Sequence, residues 1–134
     1  MENSAGVVGL ATRHEMTEPL GLLPFVPSGG DFEKSRALFR ALGFEELWSA
    51  GDYAGFRQGG AKFILQAFDK PEFASNLMLK LEIPNLDDWW AEIKAQQLER
   101  RFPGFQMSAP TEVPWGREVT FIDLAGVCWH VGLP

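Results

Sequence analysis

The same succession of signals runs twice through this chain of 134 residues: a short apolar strand, a capped amphipathic helix, then strands parted by turns. That repeat constrains the fold more than any single motif. Two such copies bury their apolar faces by packing each sheet against its helix and sharing one core. In the first copy the apolar run 22–27 predicts a strand, and Gly29-Gly30 breaks it. Asp31 is placed to cap a helix by accepting from free backbone N–H groups. Phe32, Ser35, Phe39 and Leu42 share one face of that helix, and Gly43 ends it. Residues 44–49, 53–58 and 61–68 predict three strands, joined by Ala50-Gly51-Asp52 and by Gly59-Gly60. The loop 69–76 separates the copies.

The second copy opens with Leu77, Leu79, Leu81 and Ile83 alternating with Met78, Lys80 and Glu82, a strand with one apolar face. Asn85 caps a helix in which Leu86, Trp89, Trp90, Ile93 and Gln97 keep helical spacing, so both tryptophans are assigned to the core. Pro103, Pro110 and Pro114 blur the next hairpin. Two strands, 118–123 and 127–132, close the chain around Leu124-Ala125-Gly126. The expected organisation is an N-terminal arm or tail at 1–21 and a single domain at 22–134, built from modules 22–68 and 77–134. The fold class is α+β: two βαβββ modules forming a curved mixed sheet, helices on the outer face, the other face curving into a cleft.

Charge and composition narrow the partners. Hydrophobic residues make up 46% of the chain, enough for a globular core, and no apolar run approaches the ~20 residues of a membrane span. The net charge is −6, with no basic cluster beyond Arg100-Arg101, which argues against nucleic acid as a partner. The acidity serves solubility and leaves open the attraction of a cationic small molecule. Residues 1–20 lack the basic start and long apolar stretch of a secretory signal. Cys128 is the single cysteine, and a cytoplasmic location is expected.

The stretch Pro114-Trp115-Gly116-Arg117-Glu118, followed by Phe121 to His130 with its Asp123-Leu124-Ala125-Gly126 turn, resembles the closing segment of bleomycin-resistance proteins. Leu42-Gly43-Phe44, Asp52-Tyr53-Ala54-Gly55 and Asn85-Leu86-Asp87 are similar to further stretches of that family. The resemblance covers roughly residues 22–132 and implies the glyoxalase/bleomycin-resistance/dioxygenase (vicinal oxygen chelate) superfamily. Its members pair as homodimers, with clefts formed between subunits. Its enzymes hold a divalent metal with His, Glu or Gln from the first and last strands of each module.

Here the first-strand position falls among Leu23, Pro24 and Phe25, and the second module offers Met78, with Lys80 and Glu82 on the same face. Gln66 is a weak oxygen donor and His130 the one good donor. Lys80 would repel a cation. No metal and no cofactor are expected. Cys128 and His130, two apart on a strand, share a face, and a structural or ligand-contact role suits them better than a nucleophile with its base.

The resemblance also implies a mode of action, sequestration of a flat antibiotic between aromatic side chains. By position, Trp48, Tyr53 and Trp115 match aromatics of that cleft and Asp52 an acidic residue. Two departures stand out: Lys80 replaces a stacking tryptophan, and Leu47 replaces an acidic residue. They direct attention to a planar ligand other than bleomycin, one with an anionic group for Lys80 and Arg117. The expected ligand site is therefore Trp48, Asp52, Tyr53, Gln66, Lys80, Glu82, Trp115, Arg117, Cys128 and His130. Three functions compete: metal-free binding of a planar, cationic or anionic ligand; a divergent metal-dependent lyase or dioxygenase using His130; and an interaction module whose cleft is filled.

Overall fold

The computed structural model describes residues 12–134, so residues 1–11 of the expected arm lie outside the described residues. A short helix α1 (Arg13–Thr17), closed by a Thr12–Glu15 capping box, precedes the first module. That module is β1 (Phe25–Pro27), α2 (Phe32–Ala41), β2 (Glu45–Ala50), β3 (Tyr53–Gln58) and β4 (Ala61–Gln66). One turn of helix, α3 (Pro71–Ala74), leads to β5 (Met78–Glu82), α4 (Leu86–Ala95) and α5 (Leu98–Arg101). The second module ends with β6 (Gln106–Met107), β7 (Thr111–Val113), β8 (Gly116–Ile122) and β9 (Cys128–Gly132). No helix among the described residues is long and apolar enough to cross a membrane.

Each module forms its own mixed sheet, ordered β1-β4-β3-β2 and β5-β9-β8-β6, with β7 also paired to β8. In both, the first strand lies parallel to the last, Val26 opposite Leu65 and Lys80 opposite His130. Parallel pairing needs a crossover, which the helix and the intervening strands supply. The fold is the expected α+β pair of βαβββ modules, as two sheets rather than one continuous sheet. The helix starts follow from their caps: Asp31 accepts from the Lys34 N–H and Asn85 from the Asp88 N–H, each at 3.0 Å. Gly43 at φ +102° ends the first helix. The second stops at Ala95, short of Gln97, because Gln97 takes a left-handed φ of 51° and starts α5. Pro110, lacking an N–H, lies between β6 and β7, which pair with opposite ends of β8.

Trp129 joins the modules. From β9 it packs at 5.5 Å on Phe39 of α2, at 5.5 Å on Phe63 of β4, and stacks at 5.5 Å on Phe121 of β8. Such ring pairs add about 0.5–1.5 kcal/mol each beyond burial. Asp123 aims that indole. Its Oδ2 accepts from Trp129 Nε1 at 3.0 Å, while Oδ1 accepts from the N–H groups of Ala125, Gly126 and Val127. Burial pushes the Asp123 carboxyl up, and those four bonds oppose it. Trp89 and Trp90 pack, partly buried, against the same core.

With one face of each sheet committed to this core, the opposite faces carry what is left exposed. Phe25, Trp48 and Tyr53 stand out on the first sheet, and Met78, Trp115 and Leu133 on or beside the second.

Candidate functional site

Alternation along β8 and β9 turns Val119, Phe121, Trp129 and Val131 into the core. Glu118, Thr120, Cys128 and His130 therefore share the other face. Across the strands Lys80 lies beside His130, and Glu118 lies opposite Gly132. The empty place at Gly132 lets the lysine through: a Cβ there would sit 3.1 Å from Lys80 Nζ and 2.9 Å from the Arg117 carbonyl oxygen.

Glu118 is the hub. Only 3% of it is exposed. Its Oε2 accepts from Lys80 Nζ and from Trp115 Nε1, both at 2.8 Å, and Oε1 lies 3.0 Å from His130 Nδ1. Burial works to raise its pKa. The hydrogen bonds from Lys80, Trp115 and His130, together with the lysine's charge, outweigh that and bring it to about 2. Glu118 is thus a fixed anion at any ordinary pH. On the far side of the ring, His130 Nε2 lies 3.6 Å from Cys128 Sγ. Burial first, then the Glu118 and Asp123 carboxylates, push that thiol up, so it rests protonated and is a poor nucleophile. Above the cluster opens a hollow of about 420 Å³, walled by Met78, Trp115, Leu133 and Pro134.

The first module supplies a second patch. Trp48 lies across Gly55, where a methyl group would collide with the indole. Tyr53 pairs with Gln66 on the same face, and Phe25 meets Tyr53 edge-on at 6.0 Å. Asp52 lies in the turn before β3, and its backbone carbonyl fixes the end of this patch by accepting the Ala67 N–H at 2.7 Å.

Of the ten residues singled out from sequence, Trp48, Asp52, Tyr53 and Gln66 gather on the first sheet, and Lys80, Trp115, Cys128 and His130 on the second. The hollow is lined from the second module alone. Arg117 joins neither patch. One residue from Glu118, it faces the other way and pairs with Asp87 of α4 at 3.2 Å and Glu112 at 3.7 Å. Glu82 lies on the Lys80 face and, with Lys80, Asp88 and Glu92, borders a neighbouring hollow. The sequence reading missed Glu118 as a site residue. The available signal was its parity with Thr120 on a strand whose Val119 and Phe121 are apolar.

The donors do not fit the divalent ion of the superfamily's enzymes. His130 Nδ1 and Glu118 are engaged with each other, and the Lys80 ammonium already neutralises the carboxylate. No group of three or more His, Cys, Asp or Glu able to hold a metal occurs among the described residues.

No family model and no curated protein matches this chain. Solved structures do. The bleomycin-binding protein of Streptomyces verticillus, complexed with copper(II)-bleomycin, is 25% identical over 89% of this chain and 99% of its own, with a TM-score of 0.73. A transposon-encoded bleomycin resistance determinant is 21% identical over 83% and 94%, with a TM-score of 0.71. A fosfomycin resistance protein of Listeria monocytogenes, complexed with manganese(II) and sulfate, is 19% identical over 87% and 91%, with a TM-score of 0.64. The chain has the fold of the glyoxalase/bleomycin-resistance (vicinal oxygen chelate) superfamily.

Proposed function

We propose that this protein binds and sequesters a planar small molecule in an aromatic-lined cleft completed by a second copy of the chain, without metal chemistry. The observation that carries this reading is the Glu118 cluster. It ties His130 Nδ1 and the Lys80 ammonium to one carboxylate and leaves the Trp115 ring, 69% exposed, as a stacking surface over a hollow. The first module contributes Trp48 and Tyr53 on a face that nothing among the described residues covers. Apolar surface of this kind marks an interaction site, and a second copy would bring one module's patch against the other's hollow. The bleomycin-binding neighbours, solved with their drug, favour sequestration over the lyase or dioxygenase alternative. The single cysteine suits a reducing cytoplasm.

Titration of the purified protein with a panel of planar antibiotics, followed by tryptophan fluorescence, tests the reading. A binder should quench the emission, and Trp115→Ala should weaken binding about thirtyfold, the ordinary loss for an aromatic anchor that the ligand buries. Binding indifferent to Trp115→Ala would place the ligand elsewhere.

A further inference from the structure

The polar groups around the hollow are ordered by depth. Glu118 lies at the floor with 3% of its side chain exposed, whereas Lys80 shows 34% and His130 29%. The negative end of the cluster is therefore buried and largely engaged. Its oxygens already take Lys80, Trp115 and His130, and an incoming cation would meet the more exposed Lys80 ammonium before that carboxylate. The positive end faces the opening. An ammonium carries three donors, and Lys80 gives one to Glu118, which leaves two for a ligand. The rest of the wall, Met78, Trp115, Leu133 and Pro134, is apolar or aromatic. The nearby acids Glu82, Asp88 and Glu92 line an adjoining hollow that Lys80 also borders, and none of them lines this one.

We propose that the ligand of this cleft is an organic anion: a flat apolar body resting on Trp115, with a carboxylate or comparable oxyanion held by the outward N–H groups of Lys80. The assignment rests on the small-molecule reading above and gives that ligand its polarity. Lys80 is then the residue that determines specificity, because a charge-assisted hydrogen bond to it is gained by an anion and denied to a cation. Glu118 is a positioning residue. Pinned from the floor, the ammonium cannot fold away from the opening, and little ordering remains for the ligand to impose.

Two probes of one ring and opposite charge, 2-naphthoate and 2-naphthylmethylammonium, separate the possibilities by titration calorimetry on the full chain. The naphthoate should bind about tenfold or more tightly than the ammonium. Lys80→Met should abolish that preference, and Lys80→Arg, which keeps the charge, should retain it. Equal affinities, or a tighter ammonium, would overturn the anion assignment while leaving the cleft reading intact, provided Trp115→Ala weakens both probes. Heat from neither probe at millimolar concentration would count against the cleft itself. The comparison of two probes on the unmodified protein stands even if Lys80→Met fails to fold.

Discussion

Gly132 faces Glu118 across the β8–β9 pair, and its missing side chain is what allows Lys80 to reach that carboxylate. A Cβ at Gly132 would meet Glu118 Cγ at 3.3 Å as well as Lys80 Nζ at 3.1 Å. Gly132→Ala should therefore push the ammonium off the carboxylate and strain the β8 backbone. The expected cost is about 1–3 kcal/mol, the usual range for overpacking a filled site. Urea unfolding measures it, and an unchanged midpoint would show that the glycine is incidental.

Acid should act on the same cluster in a definite direction. The Glu118 carboxyl falls from an ordinary 4.5 to about 2 in the folded chain. Its ionised form is thus favoured by folding. The stability it contributes is complete above the unfolded value and is lost as pH falls from there through about 2. Unfolding free energy measured from neutral pH down to about pH 2 should show this acid limb. Glu118→Gln should flatten it and lower stability at neutral pH by about 1.5–3 kcal/mol, the range for a hydrogen bond to a charged group.

On the first sheet, Gly55→Ala tests whether Trp48 belongs to the site. The added methyl would lift the indole off the strand. Since Trp48 is already 44% exposed, the fold should tolerate the change. Tryptophan emission should shift to the red and planar-ligand affinity should drop several-fold. A shift in emission with no change in affinity would remove Trp48 from the cleft.

The repeat, the helix caps and the strand alternation were legible in sequence because each is local. Asp31 and Asn85 cap the helices expected of them, and the three strands of the first module fall close to their expected limits. The short helices α3 and α5 were not legible, as four residues carry no period. Nor was the central role of Glu118. A glutamate on the polar face of a strand reads as solvent-facing, and its burial depends on Lys80, 38 residues away, and on the gap at Gly132. Arg117 shows the sharpness of the parity rule: a shift of one residue along a strand moves a side chain to the other face.

Native mass spectrometry of protein purified without chelator reads subunit number, metal and co-purified ligand at once. Each open face leaves aromatic surface for a partner, and the Glu118 carboxylate is engaged by Lys80 and by His130 Nδ1 rather than free for a metal. The expected spectrum shows a species of twice the chain mass, free of stoichiometric metal and carrying a small organic adduct that denaturation releases. Chelation should leave its melting temperature unchanged, since only a ligand of the native state stabilises it. A monomer holding one divalent ion per chain, melting lower once that ion is stripped, would contradict it.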